Sequence, residues 1–273
     1  MTNSELAGYA GAIVAGLVIG LAGGGGSILT VPIFVYLFSI EPVLATTYSL
    51  FVVGVTSLVG SVGYWLRRQV DLTITGAFAL PSFVSVFLTR RWLVPAIPDP
   101  LFQYGSFVLR KSDAILYFFA FVMIIAARGM IRQEGPDEGS GTSQPPRLSL
   151  LALDGLAVGV LTGTIGAGGG FLIVPMLVLL AGLPMRMAVG TSVLIIAVNS
   201  FVGFLGDTHR VDLEWPFLLR FTALSVAGIF LGMYLARFVP ALKLKKGFGW
   251  FVLLVAGYIV VREILEVSRV LGN

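Results

Sequence analysis

The chain has 273 residues, of which 57% are apolar and only 12% charged, and its mean hydropathy is +0.96. Soluble domains carry about 25% charged residues, so this composition belongs to a protein embedded in lipid. A net charge of +4, gathered at segment ends, excludes a nucleic-acid footprint, and the lack of cysteine excludes disulfides, thiolate metal sites and cysteine nucleophiles.

At about 20 residues per crossing, the chain has room for roughly seven or eight membrane segments, which predicts an all-α integral membrane protein. Glu5 and no basic residue precede the first apolar run, which argues against a cleaved secretory leader. That run, Leu6 to Leu21, reaches about 24 Å at 1.5 Å per residue, short of the ~30 Å hydrocarbon core. Gly23-Gly24-Gly25-Gly26-Ser27 follows, and each glycine is about 1 kcal/mol worse than alanine inside a helix, so the helix breaks here. Sequence that favours helix resumes at Ile28 with Pro32 soon after, but the piece to Phe38 is also too short to cross. Two half-helices returning on themselves, a re-entrant hairpin with its glycine tip near mid-membrane, reconcile these lengths, because bare backbone at that depth needs protein or a wet cavity around it. A single broken, tilted helix is the competing reading.

Pro42 opens the next segment, which runs to about Trp65 and is closed by Arg67 and Arg68. Leu72 to Leu88 or Val94 is a further span, closed by Arg90 and Arg91, and Pro95, Pro98 and Pro100 then interrupt helical sequence. After Arg110, Lys111 and Asp113, a span runs from Ala114 to about Ala127. Residues 132–147 are polar and rich in Gly and Pro, a water-exposed linker that divides a first membrane unit, 1–131, from a second, 148–273.

The second unit repeats the first. A shift of 143 positions places Gly16, Gly20, Gly23, Gly25 and Gly26 on Gly159, Gly163, Gly166, Gly168 and Gly169. It also places Val31-Pro32 on Val174-Pro175, Ser49 on Ser192, Ser57 on Ser200 and Gly60 on Gly203. From 16 to 60 roughly a third of positions are identical without a gap. Val70-Asp71-Leu72 matches Val211-Asp212-Leu213 when the shift falls by two. With a re-entrant hairpin and three full spans in each unit, the two units lie in opposite orientations about a pseudo-two-fold axis, an arrangement common in transporters. A broken segment that crosses once would make the repeats parallel instead. The side carrying Arg237, Lys243, Lys245 and Lys246 is the expected cytoplasmic face.

The glycine breaks leave helix N–H groups and the positive end of a helix dipole free, which suits an anion. Gly24, Gly25, Gly26 and Ser27 are the candidate binding residues at the first break, and Ala167, Gly168, Gly169 and Gly170 at the second. Gly16, Gly20, Gly159 and Gly163, spaced by four, read instead as close helix packing. Polar residues inside apolar sequence supply further candidates: Ser49 with Ser192, Thr191, and Asn199 with its partner Thr56. Hydroxyls bonding back to their own helix explain most of the other Thr and Ser residues. No acid lies deep near either break, which disfavours a cation substrate. Arg220, about two turns into its span, either reaches to the interface or helps to hold an anion. His209, the sole histidine, reads as a loop residue. Gly166-Ala167-Gly168 lacks the strand–helix–strand unit of a dinucleotide site, no Lys-Ser/Thr follows the glycines, and no nucleophile–base pair is present, so the chain is not expected to be an enzyme or to carry a cofactor or metal.

Gly-Gly-Gly-Gly-Ser-Ile-Leu-Thr-Val-Pro from Gly23, Gly-Ala-Gly-Gly-Gly-Phe-Leu-Ile-Val-Pro from Gly166, Ala188-Val189-Gly190-Thr191-Ser192, and a Val-Asp-Leu closing each repeat core resemble the TauE/SafE sulfite exporter family over nearly the whole chain. In the first unit Thr47 stands where Gly190 stands in the second, a departure from the family form. The resemblance implies a secondary transporter exporting sulfite or an organosulfonate across the bacterial inner membrane. Lipids and further copies of the chain are the other expected partners. An anion channel and a non-transporting anion-binding membrane protein are the rival readings.

Overall fold

The computed structural model describes residues 3–23, 26–98, 100–104, 107–109, 111–132, 148–165, 170–179, 181–207 and 213–271. The described chain is helical except for one short hairpin. The first unit contains α1 (Asn3–Ala22), α2 (Ser27–Leu37), α3 (Pro42–Leu66) and α4 (Leu72–Leu88), the last running on through a π-helical turn (Thr89–Leu93) into α5 (Val94–Ala96). Two three-residue strands, β1 (Phe102–Tyr104) and β2 (Phe107–Leu109), pair antiparallel, with Gln103 opposite Val108, before α6 (Lys111–Arg132). The second unit contains α7 (Leu148–Ile165), α8 (Gly170–Leu179), α9 (Met185–Asp207), α10 (Trp215–Ala236) and α11 (Ala241–Leu271). The strand pair amends the all-α expectation: the prolines at 95, 98 and 100 stop the helix, and the chain turns back as extended backbone. The linker region 133–147 lies outside the described residues.

Five helical stretches among the described residues are long and apolar enough to cross a membrane: Glu5–Ala22, Pro42–Leu66, Leu72–Ala96, Met185–Asp207 and Trp215–Ala236. The first is longer than the sequence suggested, because α1 starts three residues earlier, at Asn3, and so reaches a full crossing length. α2 nevertheless folds back along it. Gly26 lies against Ala15 and Ile19, Ile33 against Gly11, and Phe38 against Gly8, so the two helices form an antiparallel hairpin.

The contacts obey the 143-residue shift beyond the region of sequence identity. α1 runs parallel to α10, with Ala12 at Ser225, Gly16 at Ser225 and Ile229, and Gly20 at Met233. Its repeat partner α7 runs parallel to α4 in the same way, with Gly155 at Phe78, Gly159 at Ser82 and Gly163 at Thr89. The glycines are required here: a Cβ at Gly16 would overlap the Ser225 carbonyl oxygen, and one at Gly155 the Phe78 carbonyl oxygen. The equivalent helices α3 and α9 meet each other antiparallel, Leu50 at Gly203, Gly54 at Ser200, Gly60 at Val193 and Tyr64 at Gly190. The helix starts also match. The Asp71 N–H donates to the Thr191 hydroxyl at 3.0 Å, and 143 positions on, the Glu214 N–H donates to the hydroxyl of Tyr48, the partner of Thr191, also at 3.0 Å. The shift therefore stays at 143 through the starts of α4 and α10, whatever the offset Val-Asp-Leu match suggests.

The half-helices α2 and α8 end alike. Ile40 N–H returns to the Phe34 carbonyl at 3.0 Å, and Leu183 N–H to the Leu177 carbonyl at 3.1 Å. The residue before each returning N–H is left-handed, Gly182 at φ 64° and Ser39 at φ 54°. Ser39 bears the steric cost that its glycine partner escapes, about 1–2 kcal/mol for a residue with a Cβ. Ser39→Gly is expected to raise the thermal unfolding midpoint in detergent, and Gly182→Ser to lower it. A Ser39→Gly protein no more stable than the parent counts against this geometry.

Candidate functional site

Three polar places follow one another along α9. Ser192, Asn199, Gly203 and Gly206 are spaced by seven, four and three, which keeps them on one helix face.

The first is a cavity of about 80 Å³ near the start of α9, lined in part by Tyr64, Arg67, Gln69, Arg186, Val189 and Arg237. Three of its lining residues are arginines and none is acidic. Arg67 donates to the Met233 carbonyl at 3.3 Å, and the Arg237 guanidinium stacks 3.7 Å from the Tyr234 ring centre. The cavity adjoins the first break: Gly23, left-handed at φ 67°, rests on Val189, and the Ser192 hydroxyl donates to the Gly23 carbonyl at 2.9 Å and shares its proton with the Val189 carbonyl at 2.8 Å. Tyr64 donates its hydroxyl to the Gly20 carbonyl. Gly26 is buried and Ser27 opens α2, whose N-terminus receives no side-chain cap. Gly190 is glycine because the Gln69 carbonyl comes against it. The hydroxyl of Thr191, a predicted binding residue, accepts the Asp71 N–H at the turn into α4.

The second place is the middle of the α3–α9 contact. Thr56 and Ser57 are fully buried, as are their repeat partners Asn199 and Ser200. Asn199 Nδ2 donates to the Ser82 hydroxyl at 2.6 Å, while Asn199 Oδ1 and the hydroxyls of Thr56, Ser57 and Ser200 have no partner among the described residues. A buried polar group without a partner costs about 1–3 kcal/mol, so four atoms of this kind at one crossing mark a place kept polar against stability.

The third place lies at the end of α9. Arg90, on the π-helical turn, is 1% exposed, and its Nη1 donates to Asp207 Oδ2 at 2.9 Å and to the Thr46 hydroxyl at 3.1 Å. The Thr47 hydroxyl donates to the same carboxylate oxygen at 2.9 Å. Gly206 leaves room for the Arg90 stem. Among the described residues Nε and Nη2 of Arg90 have no hydrogen-bond partner, nor has the Thr162 hydroxyl in the last turn of α7. Arg90 and Asp207 were not foreseen together, since each closes an apolar run and reads as an interfacial charge. One available signal was the repeat itself: Asp207 occupies the position equivalent to Tyr64, and Arg90 that of Met233.

Of the remaining predicted residues, Ser49 is fully buried and its hydroxyl is hydrogen-bonded to that of Thr30 on α2. Gly170 opens α8 and is buried. Arg220 is exposed on α10. Gly24, Gly25, Ala167, Gly168, Gly169 and His209 lie outside the described residues. The flanks of the two breaks do not face each other. Gly23 rests on Val189, whereas Gly163 rests on Thr89, next to Arg90 at Gly206. The seventeen residues from 189 to 206 put these flanks about 25 Å apart along α9. The two flanks therefore lie near opposite ends of α9, with the Thr56–Asn199 region between them.

The family description "Sulfite exporter TauE/SafE" matches residues 9–260. A "Probable membrane transporter protein" of Xylella fastidiosa is 27% identical over 255 residues, covering 91% of this chain and 92% of the relative. The "Probable membrane transporter protein YdhB" of Bacillus subtilis is 25% identical, with 85% and 90% covered. The "Probable membrane transporter protein MJ0441" of Methanocaldococcus jannaschii is 32% identical over 117 residues, 41% of this chain and 44% of that one. No solved structure matches.

Removing one member of a buried ion pair costs about 3–5 kcal/mol, while replacing both with apolar groups is often near neutral. Arg90→Met and Asp207→Leu are each expected to lower the unfolding midpoint sharply, and the double variant to recover most of the loss. Strictly additive losses in a double-mutant cycle would show that the two charges do not interact.

Proposed function

This chain belongs to the sulfite exporter TauE/SafE family of membrane transporters, and on that premise we propose that it is a secondary transporter exporting a small sulfur-containing oxyanion, sulfite first, across the bacterial inner membrane. The observation that carries the reading is the cavity lined by Arg67, Arg186 and Arg237 without a carboxylate. Such a cavity gathers anions and repels cations. It opens at the end of the bundle that bears Arg237, the expected cytoplasmic face, so it would load substrate from inside. A membrane potential, negative inside, then assists exit by about 2.3 kcal/mol per charge at 100 mV.

In this reading the units form an inverted pseudo-two-fold, for which the antiparallel meeting of α3 and α9 speaks, and α1–α2 and α7–α8 are the re-entrant hairpins. Gly24, Gly25, Gly26 and Ser27, beside Ser192 and Thr191, form the anion contact at the first break. Ala167, Gly168, Gly169 and Gly170, with Ser49, form the equivalent contact at the second. Asn199, with Thr56, Ser57 and Ser200, lies on the path between them. Arg220, exposed on α10, adds a further cation for the anion in this reading.

Proteoliposomes loaded with sulfite test the proposal. Saturable efflux that responds to the imposed potential or proton gradient is expected, and changing Arg67, Arg186 and Arg237 together to Gln should raise the half-saturating concentration at least tenfold and weaken its salt dependence. Efflux that rises linearly with concentration would identify a channel, and binding without flux an accessory protein.

A further inference from the structure

We propose that the Nε–Nη2 edge of Arg90 is a bidentate oxyanion-binding site at the end of the bundle opposite the arginine-lined cavity. The proposal rests on the transporter reading and gives that path a second anion contact. The guanidinium is held from one side only. Asp207 and Thr46 take Nη1, and Thr47 fixes the carboxylate that receives it. The Nε–H and the adjacent Nη2–H lie on the opposite edge and point the same way. They have no acceptor among the described residues although the side chain is 1% exposed. Two parallel N–H groups match two oxygens of one sulfite, sulfonate or carboxylate. An anion on that edge is nearer the guanidinium than the Asp207 carboxylate beyond it, so attraction exceeds repulsion.

The backbone supports a binding role. Arg90 sits on a π-helical turn, a departure from α geometry that recurs at functional sites. Thr89 of the same turn rests on Gly163, three residues before the second glycine break. No equivalent exists at the other end, where Met233 and Tyr64 occupy the positions of Arg90 and Asp207. The second anion contact therefore belongs to one end alone.

Calorimetric binding to the purified full chain in detergent tests this. Sulfite and methanesulfonate, each offering a pair of oxygens, should compete, and chloride at equal ionic strength should not displace them. Arg90→Lys keeps a cation beside Asp207 but loses the fork, and should weaken sulfite binding tenfold or more. Should that variant not fold, Arg90→Met with Asp207→Leu removes both charges and should weaken binding equally. An unchanged Kd in either folded variant, or chloride competing as well as methanesulfonate, overturns the site even if the parent protein still moves sulfite. A parent that neither binds nor moves sulfite removes the transporter reading, and this site with it.

Discussion

Backbone-to-backbone contact between helices of different units is the constraint on which this architecture depends. α1 lies on α10, and α7 on α4, with glycine wherever a Cβ would strike a carbonyl oxygen. In lipid there is no hydrophobic gain from bringing two apolar helices together, so association relies on close van der Waals contact. Gly16, Gly20, Gly228 and Gly232 supply it on one side, and Gly155, Gly159 and Gly163 on the other. Because each seam joins one unit to the other, neither unit is complete alone. The seams also fix the levels at which the hairpins turn, and with them the positions of Gly23 and Gly163.

With the outer helices locked in this way, α3 and α9 are left facing each other through the middle. Their contact carries polar atoms that have no partner among the described residues, flanked by a cavity bordered by arginines at one end and a buried ion pair at the other. Apolar side chains at Thr56, Ser57 and Ser200 would pack without that cost. The charge is distributed accordingly: three arginines border the cavity, and the acid in this track, Asp207, is matched to a cation.

Much of this was legible in the sequence. Apolar runs located the spans, because a membrane helix must be apolar for its whole length. Spaced glycines at 16, 20, 159 and 163 announced close packing, and they do meet other helices. The 143-residue repeat singled out Thr56 and Asn199 as a matched polar pair, and both are buried. Depth was harder to read. Arg90 and Asp207 each end an apolar run, and composition cannot distinguish a charge at the lipid boundary from one folded inward on a π-helical turn. Nor does sequence say what a polar residue touches: the Thr191 hydroxyl accepts the Asp71 N–H at the start of α4. The separation of the break flanks was equally hidden, since it follows from how far α2 runs back along α1.

The exchange of Arg90 for Met233 across the repeat has an energetic consequence. Had the repeat kept the same side chains at both places, the two ends of α9 would bear equal costs. A charge pair buried at one end alone makes them unequal, because a guanidinium and a carboxylate are held out of water there and Met233 and Tyr64 are not. That asymmetry sits in one pair of residues within an otherwise matched set of helix contacts.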